Sequence, residues 1–315
     1  MSEIFWRFSC LANWVILVRW KVLVLLLVSA GFIGVKGDSL FPNISNDIEV
    51  SKTASFICKK DRKRLEYFFR RFIFWEDGGY VLMGSKPCSI APLRDPGCLN
   101  SQFLSSLMPS NLRFWLGWKT WKKYERYFPH PSFSIVQEKQ ENGTSLLLLI
   151  NKNEFLNVVV AHRDDFEKTC QRSMDPNQML IEAESKPLLG GILQGNDFLI
   201  GILLGYGRKN SWLYYRKTKF SEKITPLVSF TQLQENEHFA NYIASEGIWG
   251  FATGSLFRDL SQMPLPGFSV DPNDSETISL NRKYRESRQK LIEYFGHRNF
   301  LDGTLELLTE PLRRN

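Results

Sequence analysis

The chain has 315 residues, a formal net charge of +7 and a composition that is 43% hydrophobic, 23% charged and 14% aromatic. So much apolar and aromatic content excludes a disordered tail, and only 21 glycines and 14 prolines exclude a collagen-like or Gly/Pro-rich chain. A polytopic membrane protein needs several apolar runs of about 20 residues, and the sequence offers one candidate.

That candidate is N-terminal. Residues 22–35 read VLVLLLVSAGFIGV, without a charge, and Arg19 and Lys21 stand immediately before them. A basic flank followed by a short apolar stretch is the layout of a secretory signal. Val28 and Ala30 before Gly31, or Val35 and Gly37 before Asp38, fit a small-residue cleavage rule. As a helix this core spans about 21 Å against a bilayer core of about 30 Å, which favours a signal peptide or a short signal anchor. Val22, Leu25, Leu27 and Phe32 are the expected membrane-inserting residues. Arg7, Arg19 and Lys21 on one side against Lys36 on the other place the N-terminus inside and the body outside. The expected division is a targeting segment over 1–37, a polar linker over 38–57 and one domain over 58–315.

Leu65, Phe68, Phe69, Phe72 and Ile73 then recur at helical spacing, behind the basic run Lys59, Lys60, Asp61, Arg62, Lys63 and Arg64. Gly78-Gly79 is expected to stop this helix, Tyr80 to Met83 to form a short strand, and a Pro-rich loop to run on to about Asn100. A second helix is predicted over 111–128, where Trp115, Trp118, Trp121, Tyr124 and Tyr127 alternate with Lys119, Lys122, Lys123 and Arg126. Residues 133–141 and 144–150 read as a hairpin about Asn142-Gly143. Asn151, with Glu154 three residues on, caps a helix carrying Phe155, Val158, Val159, His162 and Phe166 on one face. Further helices are predicted over 176–184, around 212–215, from Asp271-Pro272 to Phe295, and over 301–308, with an apolar run over 198–204 and a polar, irregular stretch over 221–246. Together these elements predict an α+β fold, mainly helical with a small antiparallel sheet, preceded by an N-terminal hydrophobic targeting or anchor helix.

The charge divides informatively. The targeting segment carries a net +3 and the run over 59–64 a net +4, so the remainder balances. That argues against a nucleic-acid binder, whose charge covers a large face. No P-loop, HExxH, GxSxG or EF-hand pattern is present, and the five cysteines form no CxxC pair, so neither a cofactor nor a metal is expected. Gly205-Tyr206-Gly207 imitates the start of a dinucleotide fingerprint but has Asn210 in place of its third glycine. Three residues carry weak catalytic potential. His162 stands beside Asp164 and Asp165, His130 lies between two prolines, and Cys88 follows Lys86. The basic–aromatic stretches 115–128 and 206–220 are binding candidates at a membrane surface or a glycan.

Phe69-Arg70-Arg71-Phe72-Ile73-Phe74 and Gly79-Tyr80-Val81-Leu82-Met83-Gly84-Ser85-Lys86-Pro87 resemble stretches in uncharacterised proteins of chlamydia-like intracellular bacteria. So do Leu203-Leu204-Gly205-Tyr206-Gly207 with Asn210, and Pro266-Gly267-Phe268. The resemblance implies a bacterial, host-associated setting and assigns no activity. The reading is an exported or membrane-tethered, non-enzymatic envelope or interaction protein, with membrane lipid as partner through its N-terminal segment, and a protein or glycan partner. Two alternatives stay open: an extracytoplasmic hydrolase or transferase, and a membrane-anchored, cytoplasm-facing binder of lipid surfaces or nucleic acid using the 59–64 run.

Overall fold

The stretch Ser145-Leu-Leu-Leu-Leu-Ile-Asn151 has no polar alternation, and a strand of that pattern must be covered on both faces. The computed structural model describes residues 56–96, 109–140, 144–221, 227–233 and 263–310. The targeting segment with Val22, Leu25, Leu27 and Phe32 lies outside the described residues, as do the polar linker almost to its end, Cys10, Cys98 and residues 234–246 of the polar stretch. Strands β1 (Cys88–Leu93), β2 (Phe133–Lys139) and β3 (Ser145–Asn151) form an antiparallel sheet with β3 at the centre. The fold of the described residues is mainly helical with this small sheet, in keeping with the α+β expectation. Among them, no helix is long and apolar enough to cross a membrane.

Side chains alternate across the sheet with the strand period of two. Ala91, Leu93, Phe133, Ile135, Leu147 and Leu149 enter one core. Cys88, Leu148 and Ile150 enter another. The first core is closed by helices α1 (Lys59–Phe74), α2 (Gly78–Leu82) and α3 (Pro109–Tyr124), and by two C-terminal helices. The second is closed by α4 (Lys152–Ala161), α5 (Arg163–Cys170), α6 (Pro176–Ser185) and α7 (Asp197–Leu203). A π-turn over Leu188–Ile192 sits between α6 and α7, its Leu189 and Gly190 amides donating to the buried Glu138 carboxylate at 2.9 and 3.0 Å. Helix α8 (Arg208–Phe220) follows α7. The two-residue strands β4 (Val228–Ser229) and β5 (Ser269–Val270) pair before α9 (Ser275–Gly296) and α10 (Phe300–Thr309).

Several expectations are corrected. Tyr80 to Met83 is not a strand: residues 78–82 form α2, buried throughout. A short apolar run does not distinguish a buried helix turn from a buried strand, and here Asp77 turns the chain at φ 60°. The strand lies instead at β1, inside the expected Pro-rich loop. As an edge strand it accommodates Pro92, whose missing N–H costs no ladder bond there. Lys139 pairs with Ser145, and the Gln140 amide donates to the Thr144 carbonyl at 2.8 Å. Five residues, 140–144, therefore separate β2 from β3 where a two-residue turn was predicted, and 141–143 lie outside the described residues. The single helix expected after Asn151 breaks at His162, which separates α4 from α5. Asn151 does cap α4, its Oδ1 accepting from the Glu154 amide at 3.1 Å. Helix α9 starts three residues later than Asp271-Pro272 suggested. Asp271 closes a turn, and Asp274 caps the helix by accepting from the Glu276 amide at 2.9 Å.

A dense cluster of aromatic rings packs where α1 crosses α3. Phe68 stacks on Phe114 at 5.1 Å, and Phe69 meets Trp121 edge-on at 5.1 Å. This approach depends on Gly117, where a Cβ would stand 2.5 Å from Phe68 Cβ and 2.8 Å from the Arg64 carbonyl oxygen. Gly-to-Ala in a helix ordinarily stabilises by about 1 kcal/mol. Gly117→Ala is expected to destabilise by about 1–3 kcal/mol through overpacking, read as a lowered urea midpoint at unchanged m-value.

Candidate functional site

The residues flagged for chemistry do not converge. Cys88 stands on β1 at one sheet edge, facing the second core. His130 precedes β2 at the other edge, and His162 sits at the α4–α5 joint. Burial pushes the Cys88 thiol up to about 12, so it carries no thiolate at neutral pH. Asp165 lies 3.8 Å from His162 but is committed to Arg208 at 2.7 and 2.9 Å. His130 pairs with Glu125 at 3.5 Å, and its Nδ1 meets the Phe133 carbonyl at 3.0 Å. Among the described residues, no group of three or more His, Cys, Asp or Glu is placed to hold a metal.

Among the described residues, the basic side chains of the 59–64 run and α3 divide into those with carboxylate partners and those without. Arg62 binds Asp302 at 2.8 Å, while Arg64 and Lys123 both bind the buried Asp61, at 3.5 and 2.9 Å. Burial raises the Asp61 carboxyl, but hydrogen bonds from Lys123 and Tyr124 outweigh it, and Lys123 is driven up to about 12. Lys59, Lys60 and Lys63 stay exposed at the start of α1. On α3, Trp118 and Trp121 are buried and Trp115 is partly so. Lys119 and Lys122 lie over the Trp115 and Trp118 rings at 5.4 and 5.5 Å. That stretch is core with lysine stems laid across it.

Helix α8 is the opposite case. Phe198 meets Trp212 at 5.4 Å, Trp212 stacks on Tyr215 at 5.7 Å, and Tyr215 meets Phe220 at 5.9 Å. The ladder climbs out of the protein, leaving Trp212 43% and Phe220 58% exposed. Gly207 lets this helix begin hard against α9. At φ 85° it clears the Glu276 carboxylate, which accepts from the Arg208 and Lys209 amides at 2.8 and 2.9 Å.

Two cavities border Tyr206. One, about 370 Å³ and mostly apolar, lies between α8 and the 267–269 segment and includes Ile200, Gly201, Leu204, Ser211, Tyr214 and Phe268. The other, about 240 Å³ and more polar, includes Trp75, Glu76, Asp77 and Lys86, and Leu204, Tyr206 and Gly267 line both. The Tyr206 ring stacks on Phe268 at 4.3 Å, and the Lys86 ammonium lies 5.1 Å from its centroid. Lys86 is 1% exposed and bound to Asp77 Oδ2 at 2.6 Å. Burial opposes its charge, but the Asp77 carboxylate more than restores it, so the amine remains protonated and is not a nucleophile. Burial also raises Glu76 despite Arg71 at 3.3 Å, and raises the Tyr206 phenol.

Residues from three separated stretches line these cavities: Lys86, then Leu204, Tyr206 and Asn210, then Gly267 and Phe268. No spacing rule marks Trp75, Glu76, Asp77 or Lys86 in the sequence. They stand about 120 residues before Tyr206, and only the fold joins them. Comparison with protein-family models, curated proteins and solved structures finds no match.

Two tests follow from these environments. Alkylation of the native protein is expected to modify the exposed Cys58 and spare Cys88 until denaturant is added, as read by peptide mass spectrometry. The His130–Glu125 pair predicts a pH signature. Its hydrogen bond to Glu125 raises His130 against burial, so that contribution is complete below about pH 6.5 and fades as pH rises through the folded value. Burial raises Glu125, but hydrogen bonds from His130 and Lys122 outweigh it, so its contribution is complete above about pH 4.5 and fades in acid. The stability of His130→Ala relative to the parent is expected to be lowest between these two values.

Proposed function

We propose that the chain is a non-enzymatic envelope protein, exported or held at a membrane by its N-terminal segment, whose body rests on an anionic bilayer through α8. The observation that carries this reading is the outward aromatic ladder of α8 on a helix with five basic residues and no acidic one. Aromatic rings settle at the headgroup level of a bilayer, and lysines beside them reach anionic lipid. Arg208 and Lys209 are tied to Asp165 and Asp274, whereas Lys217 and Lys219 have no carboxylate partner among the described residues.

The magnitudes support a contact that works only alongside a tether. Each lysine near an anionic surface contributes about 1 kcal/mol, which is too little for stable attachment alone. An anchor in the same chain makes the second contact intramolecular and raises its effective concentration. A glycan or nucleic-acid strand would be read by rings lining a groove or stacked on successive bases. The α8 ladder instead packs its rings on one another and exposes their outer edges.

The test uses the full chain reconstituted into vesicles. With anionic lipid present, acylation of Lys217 and Lys219 is expected to fall about fivefold or more relative to zwitterionic vesicles, the equivalent of about 1 kcal/mol. Acylation of Lys119 should not change. Trp212→Ala with Phe220→Ala should restore labelling. Equal labelling of Lys217 and Lys219 in both vesicle types overturns the reading.

A further inference from the structure

The mostly apolar cavity beside α8 has a closed floor and an open rim. Helices α7 and α8 come together at Gly201, where a Cβ would stand 2.5 Å from Ser211 Oγ, and both residues are buried. Asp197, Tyr214 and Gly267 line the same cavity and are exposed, so solvent reaches it from that side. Its volume of about 370 Å³ falls in the range of small-molecule sites, about 300–1,000 Å³.

The floor has little hydrogen bonding left to offer. Asn210 Nδ2 donates to the Tyr206 carbonyl at 3.1 Å, and its Oδ1 accepts from the Asp271 amide and the Thr277 hydroxyl, each at 3.2 Å. The Ser211 hydroxyl donates to the Gly207 carbonyl. What remains for a ligand is apolar contact with Ile200, Leu204, Tyr214 and Phe268. The rim differs in one respect. Asp197 is the only charged residue among the described residues of the lining, and it has neither an ion pair nor a hydrogen-bond partner among the described residues.

That arrangement selects by charge and by length. An anion at the rim meets only the Asp197 carboxylate and is repelled, whereas a cation there gains a partner. Asp197 and Gly201 stand one turn apart on the same face of α7, about 6 Å along its axis. A positive group at Asp197 therefore places a body attached two or three bonds away beside Ile200 and Gly201.

We propose that this cavity binds a small amphipathic amine, its ammonium on the Asp197 carboxylate and its aromatic or hydrocarbon body between Ile200, Leu204, Tyr214 and Phe268. The site uses neither Trp212 nor Phe220 and does not depend on the membrane contact of α8.

The experiment is equilibrium dialysis of the full chain in detergent against protein-free micelles of the same detergent, so that partitioning into micelles cancels. The probes are 2-phenylethylamine, 2-phenylethanol and 3-phenylpropanoate at about pH 7, where the amine is protonated. The amine is expected to bind saturably at one per chain, about threefold or more tighter than the alcohol and about tenfold tighter than the carboxylate, the range of a rim ion pair. Asp197→Asn should bring the amine to within about twofold of the alcohol. Tyr214→Ala removes a wall without touching the charge and should weaken all three while keeping their order. Both residues are exposed, and the comparison of the three probes on the unaltered chain stands without either variant. No saturable binding of 2-phenylethylamine at about ten millimolar overturns the proposal. So does binding of the alcohol or the carboxylate as tight as that of the amine, or an amine affinity unmoved by Asp197→Asn or by Tyr214→Ala.

Discussion

The architecture rests on one strand that has no solvent face. Between Ser145 and Asn151, β3 carries Leu147 and Leu149 to one side and Leu148 and Ile150 to the other, all four buried. Each such side chain contributes about 1.5–3 kcal/mol when removed from water, and the strand period of two gives neither face to solvent. Both faces must therefore be roofed. α1, α2 and α3 roof one with the C-terminal helices, and α4 to α7 roof the other.

The same strand positions the cavities beside Tyr206. At its end Asn151 receives three constraints: its amide donates to the Pro87 carbonyl at 2.9 Å, its Nδ2 to the Val81 carbonyl at 3.2 Å, and its Oδ1 caps α4. The 81–87 turn is thus held where Lys86 points under Tyr206. From the other side, Tyr284 of α9 donates to the Gly205 carbonyl at 2.6 Å and fixes the turn that carries Tyr206. A buried ion pair such as Lys86–Asp77 is weak evidence for stability, because desolvation consumes most of the Coulombic gain.

The two basic–aromatic stretches were alike in sequence and part company in the fold. On α3 the rings turn inward because α1 offers a complementary aromatic stripe, and Gly117 lets the two backbones close. On α8 the inward positions are filled by the small polar pair Asn210 and Ser211, which are buried against α7, α9 and the 269–271 segment. Trp212 and Phe220 are left outside. Composition and spacing do not separate these outcomes, since both helices interleave Lys or Arg with aromatics; what differs is the neighbour each helix meets.

The sequence alone determined the features that act within a few residues. The amphipathic stripe of α1, the helix–hairpin–helix order around residues 111–161, the Asn151 cap and the mainly helical α+β class all follow from local periodicity and capping chemistry. Local rules misplaced the elements whose state depends on burial: the α2 turn read as a strand, β1 read as a loop, and the start of α9. The cavities beside Tyr206 were not legible at all. Asp77, Lys86, Tyr206 and Phe268 come from segments far apart in the chain, and only the fold brings them together. Tertiary structure alone decided which charges are paired, which rings are buried and where the cavities lie, because each of these depends on contacts between segments that local sequence does not encode.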